Sequence, residues 1–270
     1  MNEHSNSNIF KQILKWIGLI LLVLIGVLLI LGLFPASTSG MTSAPNPATS
    51  YDQAVARYQE IEQEESGIVG DVSGSHLLTH GERTPRAYVL VHGVTNSPLQ
   101  WLELGQTLYD NGHNVLILRM PFHGLQSGQV SELKNLTGED LREYADQAMD
   151  IAAGLGDEVV VVGISGGAAV AAWMAVNRPE VDKALLLAPF FGIKSVPAFA
   201  GTFLMNAFSR LPNLDFDNPS EQRHEWVYRG ESSRGVAAFL ELGHQVVKAA
   251  GNGIVPSAEI MVLTTAVDDT

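Results

Sequence analysis

The chain has 270 residues, a formal net charge of −13 and no cysteine. An acidic chain disfavours nucleic acid as a partner, because that recognition needs a basic surface. Without cysteine, this sequence offers no disulfide, no thiolate metal ligand and no cysteine nucleophile. The length suffices for one large α/β domain or two small domains.

The first distinctive segment is apolar and lies near the N-terminus. Residues 16–34 include 19 positions without a charged or strongly polar side chain, enough to cross a hydrocarbon core of about 30 Å as a helix. A cleaved signal peptide is the alternative, although its apolar region is usually only about 7–15 residues long. Lys11 and Lys15 precede the segment, and the next basic residue is Arg57. The positive-inside rule then predicts a cytoplasmic N-terminus at 1–15, a membrane anchor at 16–34 and an extracytoplasmic remainder.

Past the apolar segment, the pattern becomes that of a linker followed by an α/β domain. Residues 35–50 are rich in Ser, Thr, Pro and Gly and predict a flexible linker. From residue 51, helix-like and strand-like runs predict a mostly parallel sheet with flanking helices. The predicted strands are 75–79, 87–91, 114–120, 159–162, 183–188 and 259–266, and the predicted helices are 51–65, 98–111, 137–154 and 168–177.

The alternation of strands and helices stops between residues 190 and 255. This region contains seven of the ten phenylalanines, which favours either an ordinary helical core or an apolar lid over an acyl-binding groove. The two interpretations are compatible, since a lid needs its own packing. The predicted organisation is therefore a core at 51–189, a cap at 190–255 and the last core strand at 256–270. The seven phenylalanines are Phe190, Phe191, Phe199, Phe203, Phe208, Phe216 and Phe239.

One motif suggests nucleophilic catalysis. A run of four valines leads into Gly163-Ile-Ser165-Gly-Gly167, and an alanine-rich helical run follows. A strand, a tight turn and a helix are the setting of a nucleophile elbow, in which a Cβ at Gly163 or Gly167 would collide with neighbouring backbone. The motif alone is weak, because a glycine-rich chain can produce it by chance. In this setting it predicts Ser165 as the nucleophile.

A second motif supplies what an acyl-transfer site needs beside its nucleophile. The predicted strand 87–91 runs into His92, Gly93 and Val94. A tetrahedral intermediate requires two N–H donors aimed at its oxyanion. One comes from the residue after the nucleophile, here Gly166, and the other from the loop after an earlier strand, here Val94. A glycine turn that closes a strand is the common explanation of either motif alone, and the two together favour an oxyanion hole.

With these motifs, the chain resembles the α/β-hydrolase superfamily, and within it monoacylglycerol lipases and bacterial carboxylesterases. The resemblance rests on the loop His92-Gly-Val-Thr-Asn-Ser-Pro98, the turn Met120-Pro-Phe-His-Gly124 and the Ser165 elbow. It extends from about residue 75 to the end of the sequence. It implies an α/β-hydrolase fold with a cap insertion, and serine-dependent hydrolysis of a small-molecule or lipid ester without a cofactor or metal.

The acid of the triad should follow the last predicted strand, because this fold places its triad in the order Ser, Asp or Glu, and His. Asp268 is the first candidate and Asp269 the second. Paired aspartates at a strand end are also common as turn residues.

The histidine of the triad should come later still, yet all eight histidines precede Asp268. His92 and His123 are explained by the loop and the turn, and His224 and His244 lie in the predicted cap. We therefore expect that the sequence lacks a C-terminal part of the fold. A chain that ended at Thr270 is expected to be catalytically impaired, since loss of a triad member costs orders of magnitude in rate.

The leading hypothesis is thus a membrane-anchored serine hydrolase of the esterase or lipase type, acting on esters with an apolar acyl group. An acyltransferase, a peptidase or a thioesterase on the same fold is an alternative. A non-catalytic binding protein that retains the fold is the alternative from another class. The missing histidine is the one feature that favours it.

Overall fold

The computed structural model describes residues 3–35, 39–70, 72–192, 196–217 and 227–264. Seven helices occur in these ranges, together with eight strands and three short 3-10 segments. The helices are α1 (Glu3–Leu33), α2 (Tyr51–Glu65), α3 (Leu102–Asp110), α4 (Gly138–Leu155), α5 (Gly166–Asn177), α6 (Ala198–Phe208) and α7 (Ser233–Gly251). The strands are β1 (His76–Leu78), β2 (Thr84–Val91), β3 (Asn114–Ile117), β4 (Gly156–Ile164), β5 (Lys183–Leu187), β6 (Asp215–Asp217), β7 (Gly230–Ser232) and β8 (Glu259–Leu263). The 3-10 segments are Ser39–Met41, Pro98–Trp101 and Val130–Asn135.

Six of the strands form one sheet in the order β1-β3-β2-β4-β5-β8. Only β1 at one edge is antiparallel to its neighbour, so the predicted mostly parallel sheet is confirmed. Successive side chains of a strand point to opposite faces, and the valines of β4 are buried on both. Val159 and Val161 lie in the core on the side of α4 and α5, whereas Val160 and Val162 lie in the second core with Trp101.

The ends of the strands differ from the predicted ones because pairing between strands decides where they stop. β2 begins at Thr84, three residues before the predicted start, since Thr84 pairs with Gly156 of β4. The same pairing lengthens β4 to nine residues. The predicted helix 98–111 is divided into a 3-10 turn that starts at Pro98 and the helix α3.

Residues 39–50 are fastened to α4, where the composition predicted a flexible linker. The backbone N–H of Ala48 donates to Asp150 O at 2.7 Å, and Ser43 Oγ donates to Asp146 Oδ1 at 2.5 Å. The buried Arg178 guanidinium binds the carboxylates of the same two aspartates, at 3.0 Å for Asp146 and 2.6 Å for Asp150. These acceptors lie about a hundred residues away in sequence, so local composition could not reveal the contact.

A segment separates β5 from β8 and is called the insertion below. It contains α6, the two-stranded sheet of β6 and β7, and α7. α7 packs on α4, α5 and α6, and its Phe239 is completely buried beside α5. On its other neighbour, α6 packs against α1 through Phe203. The described residues of the insertion are 188–192, 196–217 and 227–258.

The helix α1 is longer than the predicted apolar segment and includes Lys11 and Lys15. Its stretch Phe10–Leu33 has 24 residues, and an 18-residue window within it has a mean hydropathy of 3.0, which suits a membrane-spanning helix in length and composition. Most of its apolar side chains are exposed. A signal sequence near an N-terminus has the same properties, so the segment is an apolar helix of either kind.

Candidate active site

Ser165 stands at the turn between β4 and α5, in a backbone conformation that few side-chain-bearing residues adopt. Its φ is 54° and its ψ is −120°, a combination that costs about 1–3 kcal/mol and persists only when the surroundings impose it. The Ser165 N–H donates to Leu187 O at 2.9 Å, and its carbonyl accepts from Ala168 and Phe190 at 3.0 and 3.1 Å. Its Oγ does not cap α5. The turn therefore presents the hydroxyl rather than using it structurally.

Two glycines make this turn possible by close backbone contact. A Cβ on Gly163 would lie 2.2 Å from Gly167 O. A Cβ on Gly167 would lie 2.3 Å from His92 O and 2.4 Å from Val91 O. Displacing the backbone of a central strand would disrupt the packing around it and cost much free energy. The packing thus gives the physical reason for both glycines of the motif.

The loop that follows β2 lies directly against the elbow. A Cβ on Gly166 would lie 2.4 Å from Val94 Cγ2, so the two predicted oxyanion residues are neighbours. Gln100 Oε1 accepts from the Gly93 N–H at 2.8 Å and fixes the loop. The N–H groups of Val94 and Gly166 donate to no described residue. Two unused N–H donors beside one serine hydroxyl can bind the oxygen of a polarised carbonyl.

His92 is a structural residue of this loop. It is completely buried, and the Met120 N–H donates to its Nε2 at 3.1 Å. Nδ1 must therefore carry the hydrogen, which it donates to Gly93 O at 3.0 Å. Burial keeps the pKa of His92 well below its usual range. Because backbone groups occupy both ring nitrogens, His92 cannot act as the base for Ser165.

His123 connects the turn 120–124 to the same loop. Its Nδ1 lies 2.8 Å from Pro121 O and its Nε2 lies 2.6 Å from Val94 O. Burial lowers the pKa of His123 to about 4, and the neutral ring has one N–H, which it donates to one of these carbonyls. His123 thus supports the backbone at Val94 and, like His92, forms no hydrogen bond with Ser165.

Acid is expected to destabilise the fold through these two histidines. Each has a lower pKa folded than unfolded, so below about pH 6.5 the unfolded state binds more protons. The free energy of unfolding should fall as the pH drops from about 6.5 to about 4, by about 3 kcal/mol for His123 alone. Urea unfolding of the protein in detergent at several pH values measures this. His123→Gln should flatten the dependence, and an unchanged slope in that variant would refute the assignment.

Sequence reasoning missed one polar contact of the site. Tyr228 of the insertion donates its backbone N–H to Thr95 O at 2.8 Å and its hydroxyl to Phe122 O at 2.8 Å. It thereby ties the insertion to both the oxyanion loop and the turn 120–124. The phenylalanine enrichment did point to Phe239, whose ring lies over Gly166. For Tyr228 the sequence carries no comparable signal.

The structure does not test three of the predicted residues. Asp268, Asp269 and His224 lie outside the described residues. Cavities of about 710 and 470 Å³ are present, and Ser165 lines neither. Nowhere in the described ranges do three or more His, Asp or Glu side chains converge as a metal site would require.

Comparison with known proteins gives a family and a fold. Residues 88–260 match the alpha/beta hydrolase family. Among solved structures, the chain is similar to the metagenome-derived lipolytic enzymes LipS and LipT, with 18% identity and a TM-score of 0.54 over 73% of this chain and 89% of that chain. It is also similar to the monoacylglycerol lipase of Paleococcus ferrophilus, with 16% identity and a TM-score of 0.44 over 70% and 88% of the two chains. A carboxylesterase of the thaumarchaeon Nitrososphaera gargenis gives 15% identity and a TM-score of 0.41 over 74% and 90%. No curated protein matches the sequence.

Proposed function

Because the chain belongs to the alpha/beta hydrolase family, we propose that it is a membrane-anchored serine hydrolase that cleaves carboxylic esters with an apolar acyl group. The observation that carries this proposal is the backbone of Ser165, with a φ of 54° at a turn between strand and helix. Such strain is retained where it serves a function, here the presentation of a nucleophile. Similarity in fold to lipolytic enzymes agrees with an ester as substrate.

In the proposed reaction, Ser165 Oγ attacks the carbonyl carbon of the ester while a histidine takes its proton. The N–H groups of Val94 and Gly166 stabilise the oxyanion of the tetrahedral intermediate. The carbon–oxygen bond to the alcohol then breaks, and the alcohol leaves with the proton. A water molecule repeats the sequence on the acyl-enzyme and releases the acid and free Ser165. In this proposal Asp268 orients that histidine, a role that is assigned to none of the eight histidines of this sequence.

The anchor in this proposal is α1. Its 24-residue apolar stretch and its exposed side chains support a helix in a lipid bilayer. Lys11 and Lys15 at its N-terminal side support a cytoplasmic N-terminus and an extracytoplasmic catalytic domain. In the same proposal the insertion is the cap, with Tyr228 holding it on the oxyanion loop.

A second candidate function is that of a binding protein which retains the fold without catalysis. It is favoured by one observation: Ser165 Oγ has no hydrogen bond to a histidine anywhere in the described part of the chain. A hydrolase needs such a base to activate the hydroxyl, whereas a binding protein does not.

Covalent labelling with a fluorophosphonate separates the two functions. The full-length hydrolase should react at Ser165, because the probe requires an activated serine and an oxyanion hole. Peptide mapping by mass spectrometry identifies the labelled residue. Ser165→Ala should abolish labelling, and the control Ser127→Ala, which removes an exposed hydroxyl elsewhere, should leave it unchanged. Absence of labelling in the wild type, or equal labelling of Ser165→Ala, would favour the binding protein.

A further inference from the structure

The end of the apolar helix α1 is held by side chains of the insertion. Asn206 Nδ2 donates to Gly32 O at 2.9 Å. Arg210 donates to Leu31 O at 2.8 Å and to Phe34 O at 2.6 Å. The last carbonyls of a helix have no partner within the helix, and a cation is favoured beside them. Arg210 therefore caps α1 at the boundary between its apolar stretch and the polar chain that follows.

Side-chain packing also joins α6 to α1 at this junction. A Cβ on Gly32 would lie 2.1 to 2.5 Å from atoms of the Phe203 ring. The ring therefore lies directly on the α1 backbone, and α6 is seated against the last turn of α1. The insertion and the apolar helix form one structural unit at this point.

Arg210 also lines the cavity of about 470 Å³, beside two further cations. Lys134 belongs to the 3-10 segment Val130–Asn135, and Arg234 belongs to α7. Neither of these nor Arg210 forms an ion pair with a carboxylate of the described residues. In a chain with a net charge of −13, three cations that line one cavity and form no salt bridge with a described carboxylate are an unusual concentration of positive charge. The cavity thus has the electrostatics of an anion site.

The start of α4 adds to this positive field. Thr137, the N-cap of α4, lines the same cavity, and the helix extends for 18 residues beyond it. A helix N-terminus carries partial positive charge and favours an anion. Asp140 in the first turn closes the capping box with Thr137. The Asp140 carboxylate offsets part of the charge of this helix end, so the site depends on its side-chain cations.

One carboxyl group opposes the cations. Glu241 of α7 lines the cavity beside the start of α4, where its Oε2 would lie 2.8 Å from a Cβ on Gly138. Burial raises the pKa of Glu241 to about 6, so it carries its charge at neutral pH and loses it in mild acid. Among the described residues, the charged side chains of the lining are then three cations and one carboxylate, which leaves a net positive charge.

We propose that this cavity binds the phosphate of an anionic membrane lipid, with Lys134 and Arg234 as its ligands and the α1-capping Arg210 as a third positive charge beside them. The lipid is preferred to free phosphate because Arg210 joins the cavity to the end of the apolar stretch of α1. In a bilayer that α1 spans, this level is the level of the lipid headgroups. The inference rests on the membrane anchoring proposed above and is independent of catalysis at Ser165. A bound headgroup would fix the insertion against the membrane surface.

Calorimetric titration of the full-length protein in detergent tests the site. The probes are a short-chain phosphatidylglycerol, a short-chain phosphatidylcholine and inorganic phosphate. Phosphatidylglycerol should bind more tightly than the other two. Lys134→Gln and Arg234→Gln should each weaken its binding about tenfold, because each removes a charge-assisted contact. Lys248→Gln, which removes an exposed cation of α7 outside the cavity, is the matched control and should bind as the wild type does.

Glu241→Gln should strengthen binding, because it removes the negative charge that opposes the phosphate. A variant that merely misfolds would bind more weakly, so this variant separates the two effects. The proposal is overturned if Lys248→Gln weakens binding as much as Lys134→Gln does, or if Glu241→Gln does not strengthen it. It is also overturned if phosphatidylglycerol fails to bind, or if inorganic phosphate binds as tightly as the lipid. Because no step of the assay uses Ser165, a protein that fails to label with fluorophosphonate still gives a readable result.

Discussion

Replacing Gly167 by alanine is expected to lower the free energy of unfolding by about 3 kcal/mol or more. The new Cβ would lie 2.3 Å from His92 O and 2.4 Å from Val91 O. Both oxygens belong to backbone at the end of β2, which is bonded on both sides within the sheet. Relief would require β2 and α5 to separate, and that would open the packed core between them. Urea unfolding monitored by circular dichroism in detergent measures the loss.

Gly201 offers a matched control for this experiment. It lies in α6, and a Cβ at this position would meet nothing within 4 Å. Gly201→Ala is expected to raise stability by about 0.5–1 kcal/mol, since alanine loses less backbone entropy in a helix. If Gly167→Ala were as harmless as Gly201→Ala, the close approach of α5 and β2 would not exist in the protein.

The elbow and the core of the fold could be predicted because their signals are local. Four consecutive valines, Gly163, Ser165 and Gly167 lie within nine residues, and steric conflict at short range requires this order. The predicted mostly parallel sheet followed in the same way from the alternation of apolar runs. Each of these features depends on neighbours in sequence, which a single chain displays directly.

What could not be predicted depends on partners that are distant in sequence. Ser43 meets Asp146, and Tyr228 meets Thr95, across about a hundred residues or more. The start of β2 is set by its pairing with Gly156, and composition does not record that pairing. The phenylalanines of the predicted cap also differ in what they contact: Phe239 packs against the elbow, whereas Phe203 packs against α1. Composition gave their number and region, and only packing gave their separate roles.

Three distant segments meet over Gly166, and this meeting defines the candidate oxyanion hole. Val94 Cγ2 from the loop after β2 and Phe239 Cδ1 from α7 would lie 2.4 and 2.8 Å from a Cβ on Gly166. His123 and Tyr228 hold the same loop from its other side. The position of the Val94 N–H relative to Ser165 therefore depends on the absence of a side chain at Gly166.

Gly166→Ala is accordingly expected to slow reaction at Ser165 by about 10²–10³-fold, the usual cost of losing one oxyanion donor. The added methyl group should push Val94 away from the elbow and take its N–H out of line with the oxyanion. The rate of fluorophosphonate labelling measures this effect, together with turnover of a short-chain ester. Val94→Ala removes Cγ2 and should restore part of the rate in the double variant, while the Phe239 ring still opposes full recovery. If the double variant is as slow as Gly166→Ala while both unfold as the wild type does, displacement of Val94 is not the cause.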